Sequence, residues 1–553
     1  MDIESFIKFC EEKGFFYNSE EIYGGKTGFY DYGSLGKILE LKFENLWRNF
    51  FLKLYPNFWE IEPSEVMKDV VFKASGHLEL FNDPITECKN GHRFRADKLI
   101  EETLKIKVEG LSIKEINEII REKKMLCPIC KSELSEVRLF NLMVPAMIGP
   151  EQDLFLLLED YLKSGKIDKE ELLESYRRFK ENRYFLRPET AQGAYVNFPI
   201  EIIINRYKLP LGLAIIGKAY RNEISPRNAL IRMREFKQAE LQIFFVSNEF
   251  DELYERVKDK EINVLLVRDR ERGNDFIKVK LRDLEGYLPK FYLYFMYKIQ
   301  QFYLDVLRIP KDRFRFYELS EKEKAFYNMY HFDVEVYLDS LGWIEVGGIH
   351  FRAIKLRRED LERIGDRELR EKILEIFGDK EEVIVGYDLW KHLIYSKNTN
   401  FIVNINNRKV LPIELELSFG VDRNIFSILW VLYDERSGIL KLPPYLAPIE
   451  VAVFPLLESK DKHVEKAREI FEELRLSFIV YYDDSGSIGK RYRRQDSIGT
   501  PFCITIDERT FEDNTVTIRY RDTKEQIRIK VSDIKEFLKK ELNIYFLEDI
   551  VRN

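Results

Sequence analysis

The run from Lys218 to Phe245, KAYRNEISPRNALIRMREFKQAELQIFF, constrains this chain more than any other. Two stretches of alternating polar and apolar residues, Gly217 to Glu223 and Arg232 to Phe245, flank a loop carrying Ser225, Pro226 and Asn228. A period of two broken by turn-forming residues predicts a long β-hairpin. Alternation then puts Arg221 and Glu223 on one face of the first strand, and Phe236, Gln238 and Glu240 on one face of the second. A guanidinium can fork onto phosphate, a carboxylate can accept from a base amino group, and a phenyl ring can stack on a base. Such a face suits a nucleotide. A solvated, salt-bridged hairpin meets the same spacing equally well.

The order of the residues separates the two readings. Arg-x-Glu, a loop, then Arg-x-Arg-Glu-Phe-x-Gln-x-Glu closely resembles motif 2 of the class II aminoacyl-tRNA synthetases, in the wording of the homodimeric glycyl-tRNA synthetases. Arg187-Pro-Glu-Thr-Ala-Gln-Gly193 is similar to a signature of the same family, and Phe72 to His77 with Phe81 to Asp83 resemble its substrate-side text. Leu411 to Arg423 is an alternating strand with Glu414, Glu416 and Ser418 on one face, running into an apolar helix. It resembles motif 3, with Gly-Val-Asp-Arg in place of the general Gly-x-Gly-Arg. Gly342 to Ile349 and Arg352 resemble a further active-site strand, after which the family text resumes only at Tyr387-Asp-Leu389.

The resemblance implies an α+β protein. A class II catalytic domain, an antiparallel sheet with flanking helices, is expected over residues 1–441, and a C-terminal α/β anticodon-binding domain over 442–553. The stiff, helix-incompatible Leu442-Pro-Pro-Tyr-Leu-Ala-Pro448 marks the boundary. Beyond it strands and helices alternate, and Lys490, Arg491, Arg493 and Arg494 surround Tyr492 between Ser487 and Pro501. Basic side chains around an aromatic ring are what single-stranded RNA needs, although charge runs are more often a solvated face. The text is similar to the anticodon-binding domain of the glycyl, histidyl, prolyl and threonyl enzymes, which makes these five residues the expected anticodon contacts.

The implied reaction is the charging of tRNA(Gly) with glycine through an adenylate. ATP is expected to enter with Mg2+. Arg221 is expected on the α-phosphate, Arg232 and Arg423 on the outer phosphates, Glu223 on the adenine amino group and Phe236 on the ring. Glu189, Glu240, Glu345, Glu416 and Ser418 are the expected glycine-binding residues. The family's motif 1, a long helix at a dimer interface, corresponds to Lys37 to Leu54, where apolar residues recur at near-helical spacing; a homodimer follows by resemblance. Two other readings stay open: a related synthetase for proline, threonine or histidine, and a non-catalytic, synthetase-like nucleic-acid-binding protein.

Composition sets the outer limits. With 553 residues the chain can bury sizeable cores in two or more domains. A net charge of −7 makes any RNA surface a local patch, not a global field. No apolar run is long enough to cross a membrane, and the acidic start MDIESFIKFCEEKGF does not read as a signal peptide, so a cytoplasmic, membrane-free protein is expected.

Five cysteines in so long a chain are no disulfide framework. Cys88 with His92 and Cys127 with Cys130 form two short knuckles, a spacing suited to one structural Zn2+, or else to buried free thiols and surface side chains. Three inserts are expected: a zinc-binding one near 85–135, a helical one over 151–182, and a charged helical one over 354–385.

Overall fold

A computed structural model describes residues 2–552 other than 107, 109, 110, 149–152, 166, 167, 227, 247 and 406. The elements that matter for the site are α1 (Ser34–Phe51), β1 (Phe58–Glu60), α2 (Ala191–Ile204), β2 (Leu211–Tyr220), β3 (Glu235–Phe245), β4 (Glu261–Leu265) and β5 (Ile277–Lys280). They continue with β6 (Phe314–Glu318), β7 (Tyr330–Leu338), β8 (Gly342–Phe351), α3 (Tyr387–Ser396), β9 (Ile413–Gly420) and α4 (Val421–Leu432).

The nine strands form one sheet in the order β5-β4-β6-β7-β8-β9-β3-β2-β1. From β6 to β2 every neighbouring pair is antiparallel, and the parallel contacts, β1 with β2 and β4 with β6, lie outside that centre. Period two divides the central strands cleanly. Ala239, Leu241, Ile243 and Phe245 of β3, with Leu415, Leu417 and Phe419 of β9, point into the main core. There α1 lays Phe43, Trp47, Phe50 and Phe51 against them, each ring burial worth about 1.5–3 kcal/mol. The other face keeps the polar members of each strand: Gln238, Glu240 and Gln242 on β3, Glu414, Glu416 and Ser418 on β9.

Two buried acids clamp α1 to the hairpin. Glu40 and Glu44, one helical turn apart, meet the Lys237 ammonium at 2.6 and 2.8 Å. The helix starts at Ser34, and its inward face carries Leu39, Phe43, Leu46 and Phe50 while Leu41 is exposed.

The segment 354–385 is more than a helical insert. Ala353–Arg357 and Glu382–Gly386 pair as antiparallel strands around the helix Arg367–Phe377. Alternation at Ile354, Leu356, Val383 and Val385 explains the strands, which the surrounding charges masked. Leu356, Ile373, Phe377 and Val385 join α2 and α3 in a second core, so the segment is part of the domain's packing. By contrast Asp153–Ser164 and Lys169–Glu181 form a helical pair carrying no buried side chain among the described residues.

Past Pro448 lie β10 (Val451–Pro455), β11 (Val480–Tyr482), α5 (Ile488–Ile498), β12 (Phe502–Ile506), β13 (Thr515–Tyr520) and β14 (Gln526–Lys530). They form a separate five-stranded sheet, β11-β10-β12-β13-β14, with its own core. Buried Arg521 donates to the carbonyls of Gly499 at 2.6 Å and Leu442 at 2.7 Å, fastening this unit to the proline-rich linker.

Candidate functional site

The polar face of the central sheet is laid out in rows. Antiparallel register sets Gln242, Glu416, His350 and His331 side by side on β3, β9, β8 and β7, and beside them runs the row Glu240, Ser418, Gly348 and Asp333. Over these rows sit the segment leading into α2, the first turn of α2 and the start of α3, supplying Glu189, Thr190, Gln192 and Asp388. Arg187 holds that segment down: its Nε donates to the Lys218 carbonyl at 2.8 Å, and a Cβ at Gly217 would lie 2.3 Å from its Nη2.

At the centre is a buried arginine. Arg352 Nε donates to Asp388 Oδ2 at 2.8 Å and Nη1 to Glu416 Oε2 at 3.0 Å, with Glu189 Oε1 3.5 Å from Nη2. Its guanidinium stacks 4.2 Å from the Tyr327 ring centroid. Gln192 bridges Glu189 and Asp388 at 3.0 and 3.1 Å, Gln242 donates to Glu416 at 2.9 Å, and Thr190 donates to Glu240 at 2.7 Å. Glu189, Glu240, Glu416 and Asp388 therefore face a single guanidinium.

That imbalance appears in their titration. Burial, then the charges of Glu416 and Glu189, push the Glu240 carboxyl well above its usual range. Burial also raises Glu416, with Arg352 opposing it. Burial disfavours ionised Glu189 too, but His77 at 3.6 Å and Arg352 outweigh it and hold that carboxyl well below normal. Glu414 is set apart, accepting from the backbone N–H groups of Asp388 and Leu389 at the start of α3. Four carboxylates thus outnumber the one guanidinium, so ionising all of them together calls for a further positive partner.

Along the sheet the carboxylates give way to a pocket lined by Arg221, Glu223, Arg232, Phe236, Glu345 and Arg423, with Ser418 at the junction. Arg221 and Glu223 lie just past the end of β2 at Tyr220, not within it, because the chain turns off so that the Asn222 N–H pairs with the Leu142 carbonyl. The Arg221 guanidinium is held between the rings of Phe81 and Phe236, 5.3 and 5.1 Å from their centroids. Arg232 pairs with Glu223 at 2.6 Å, so these two enter the pocket as an ion pair.

Arg423 stands in the first turn of α4 and contacts Glu345 at 3.0 Å. Glu345, expected with the glycine-binding carboxylates, thus sits at the other end, because it lies three residues from Gly348 across a register shift. The Asp422 departure also has a physical role: its carboxylate accepts from Tyr32 OH at 2.6 Å and from the Lys237 N–H at 2.5 Å, fixing α4 to the hairpin.

The residues that act through neighbours carry little local signal. In the sequence Arg352 stands only at the end of a family phrase, and nothing local distinguishes His350, Asp388, Gln192 or Gln242. Continued alternation along β8 was the available signal, since Gly348, His350 and Arg352 share the face of Glu416.

The two knuckles meet. The ligand atoms of Cys88, His92, Cys127 and Cys130 all lie within 4.8 Å of one another. Cys88 Sγ is 3.4 Å from His92 Nδ1 and 3.6 Å from Cys130 Sγ, and Cys127 Sγ is 3.6 Å from the same Nδ1. Three sulfurs and an imidazole at edges of this length match the donor set of a closed tetrahedral Zn2+ site.

In the C-terminal unit the basic run forms the helix α5 and splits by face. Arg491 is buried, its guanidinium donating to the backbone carbonyls of Pro455, Asp484 and Gly486. Tyr492 packs on Phe454 and bonds Thr505 Oγ1 at 2.6 Å. The Arg491 guanidinium is thus committed to backbone carbonyls, against the expectation that it contacts RNA, while Tyr492 is half-buried with its hydroxyl held by Thr505. Helical periodicity is the reason: Lys490, Arg493 and Arg494 point outward, with Arg494 tied to Asp483 at 2.9 Å.

Comparison with known proteins agrees with this architecture. The family described as tRNA synthetase class II core domain (G, H, P, S and T) matches residues 174–410, and an anticodon binding domain matches 450–541. The chain is 38% identical to a glycine–tRNA ligase of Pyrococcus furiosus and 39% identical to that of Pyrococcus horikoshii, each over 95% of this chain and 96% of the relative. Among solved structures it is similar in fold to a prolyl-tRNA synthetase from Cryptosporidium parvum complexed with L-proline and AMP. That likeness has a TM-score of 0.51 at 12% identity and covers 99% of this chain and 77% of the other.

Proposed function

The chain belongs to the class II glycine–tRNA ligases, and from that membership we propose how its own residues carry the two steps. The enzyme activates glycine with ATP and passes it to tRNA. In the first step a glycine carboxylate oxygen attacks the α-phosphorus in line and pyrophosphate leaves. In the second a terminal ribose hydroxyl of the tRNA attacks the adenylate carbonyl and AMP leaves. Neither step needs a side-chain nucleophile, so catalysis is positioning and charge neutralisation.

The observation that carries the reading is the group of four carboxylates around one arginine. Glycine has no side chain to grip, so recognition falls on its ammonium, and Glu189, Glu240 and Glu416 supply the missing negative partners. Ser418 lies at the junction toward the nucleotide. Arg221 holds the α-phosphate, Phe236 stacks on adenine and Arg423 reaches the outer phosphates. Glu223 receives the adenine amino group once Arg232 swings from it toward phosphate. Glu345 steers Arg423 and does not contact glycine. ATP enters as its Mg2+ complex.

Around this centre we assign residues 1–441 to catalysis and 442–553 to anticodon binding, with Lys490, Arg493 and Arg494 offered to RNA and Arg491 and Tyr492 as its scaffold. The Cys88, His92, Cys127 and Cys130 site holds a structural Zn2+, supported by its closed donor set. A homodimer is supported by exposed apolar side chains, Leu41 on α1, Trp59 on the edge strand β1, and Ile200 and Ile204 on α2.

The test is pyrophosphate–ATP exchange with single amino acids and no tRNA. Exchange with glycine alone is expected. Exchange with proline, threonine or histidine instead would overturn the pocket assignment. Silence with every amino acid, with tRNA added, would favour a non-catalytic nucleic-acid-binding protein.

A further inference from the structure

On the reading of this pocket as the glycine site, we infer that His350 is a specificity-determining positioning residue, one that orients Ser418 and Glu416 and fills the floor that a larger amino acid would need. His350 Nε2 lies 3.2 Å from Ser418 Oγ and 3.5 Å from Glu416 Oε1. It reaches Ser418 by leaning over Gly348, where a Cβ would come within 2.5 Å of Nε2. Only glycine at 348 leaves that path open. The imidazole thus covers the sheet where the carboxylate group meets the nucleotide pocket.

The hydrogen-bond pattern assigns its proton. The buried Asn328 Nδ2 is 3.3 Å from Nδ1 of His350 and 3.3 Å from Nδ1 of His331. Nε2 of His331 faces the Asp333 carboxylate and Nε2 of His350 faces that of Glu416, so hydrogen belongs at Nε2 in both rings and Nδ1 is left to accept from the Asn328 amide. His331 then donates to Asp333 at 3.1 Å, and His350 donates toward Ser418 and Glu416. The two rings stand 4.1 Å apart, and Arg352 lies along the same face, so a second proton on His350 is opposed by burial and by both neighbours. A neutral donor fixes Glu416 without cancelling its charge. Lysine or arginine at this position would consume the negative charge that the ammonium needs.

Full-length wild type, His350→Ala, His350→Leu and His350→Gln are compared in glycine- and alanine-dependent pyrophosphate–ATP exchange. His350→Ala is expected to raise the glycine KM about tenfold with little change in kcat, and to relax discrimination against alanine by about tenfold, the scale of one methyl-sized cavity. His350→Leu should restore the rejection of alanine but not the glycine KM, and His350→Gln should restore the KM. Asn328→Leu, which leaves the imidazole but removes the amide partner of its Nδ1, should raise the glycine KM and keeps the test intact if His350→Ala does not fold. A wild-type KM and discrimination in His350→Ala, or an equal fall of kcat in all His350 variants at constant KM, would overturn the inference alone. A wild type silent with glycine would overturn the pocket reading on which it rests.

Discussion

Removing Arg352 is the severest single test of the site's electrostatics. Its side chain is 2% exposed and forms ion pairs at 2.8 Å with Asp388 and 3.0 Å with Glu416, whose side chains are 0% and 5% exposed. Breaking a buried pair by deleting one partner typically costs about 3–5 kcal/mol, because the surviving charge loses its compensation. Arg352→Met keeps most of the volume, so a loss of about 3–5 kcal/mol near neutral pH would be electrostatic and not a cavity effect.

The loss should depend on pH with a definite sign. Arg352 holds Glu189 down and opposes the rise of Glu416, so without it both folded-state pKa values climb. The folded variant then binds protons that the unfolded chain does not, and its stability falls as pH rises through that window. Chemical denaturation of wild type and variant at neutral and mildly acidic pH measures this. Arg313→Ala is the control: its pair with Asp339 at 2.9 Å is 27% and 63% exposed, and such surface pairs are worth about 0–1 kcal/mol. A loss for Arg352→Met no larger than the control, or one that grows on acidification, would refute the account.

Further outcomes follow from the rest of the structure. Because burial and neighbouring carboxylates raise Glu240, its proton competes with the glycine ammonium: the glycine KM should rise as pH falls through the raised pKa and level off above it, with proton release on binding seen as buffer-dependent heats in calorimetry. Glu189→Gln keeps the shape but not the charge and should raise the glycine KM roughly 10- to 100-fold in exchange kinetics, the worth of a hydrogen bond to a charged group. Arg493→Ala should raise the tRNA KM in aminoacylation while leaving glycine-dependent exchange intact, whereas Arg491→Ala should unfold the C-terminal unit at lower denaturant. Elemental analysis should find one zinc per chain, lost in Cys127→Ser.

Part of this protein was legible because its chemistry is local. The motif 2 hairpin, the alternation of Ile413–Gly420, the Cys-x-x-Cys knuckle and the proline-rich linker each state their geometry within a few residues. The alternating acids of β9 announced a polar face, and that face is where Glu416 and Ser418 lie.

What lay beyond reach was pairing at long range. Nothing local distinguishes Lys490 and Arg493 from Arg491, since all are basic residues in one run; the helix period and the carbonyls of Pro455, Asp484 and Gly486 decide which one is buried. Glu345 and Glu416 read alike as strand acids, yet register sends one to Arg423 and the other to Arg352. The residue types and their periodicity, which depend only on covalent order and the geometry of strand and helix, were set by the sequence alone. Which carboxylates share one arginine, and so which of them lack a cation, was decided by the tertiary structure, because charge compensation depends on distances between strands that the sequence lists far apart.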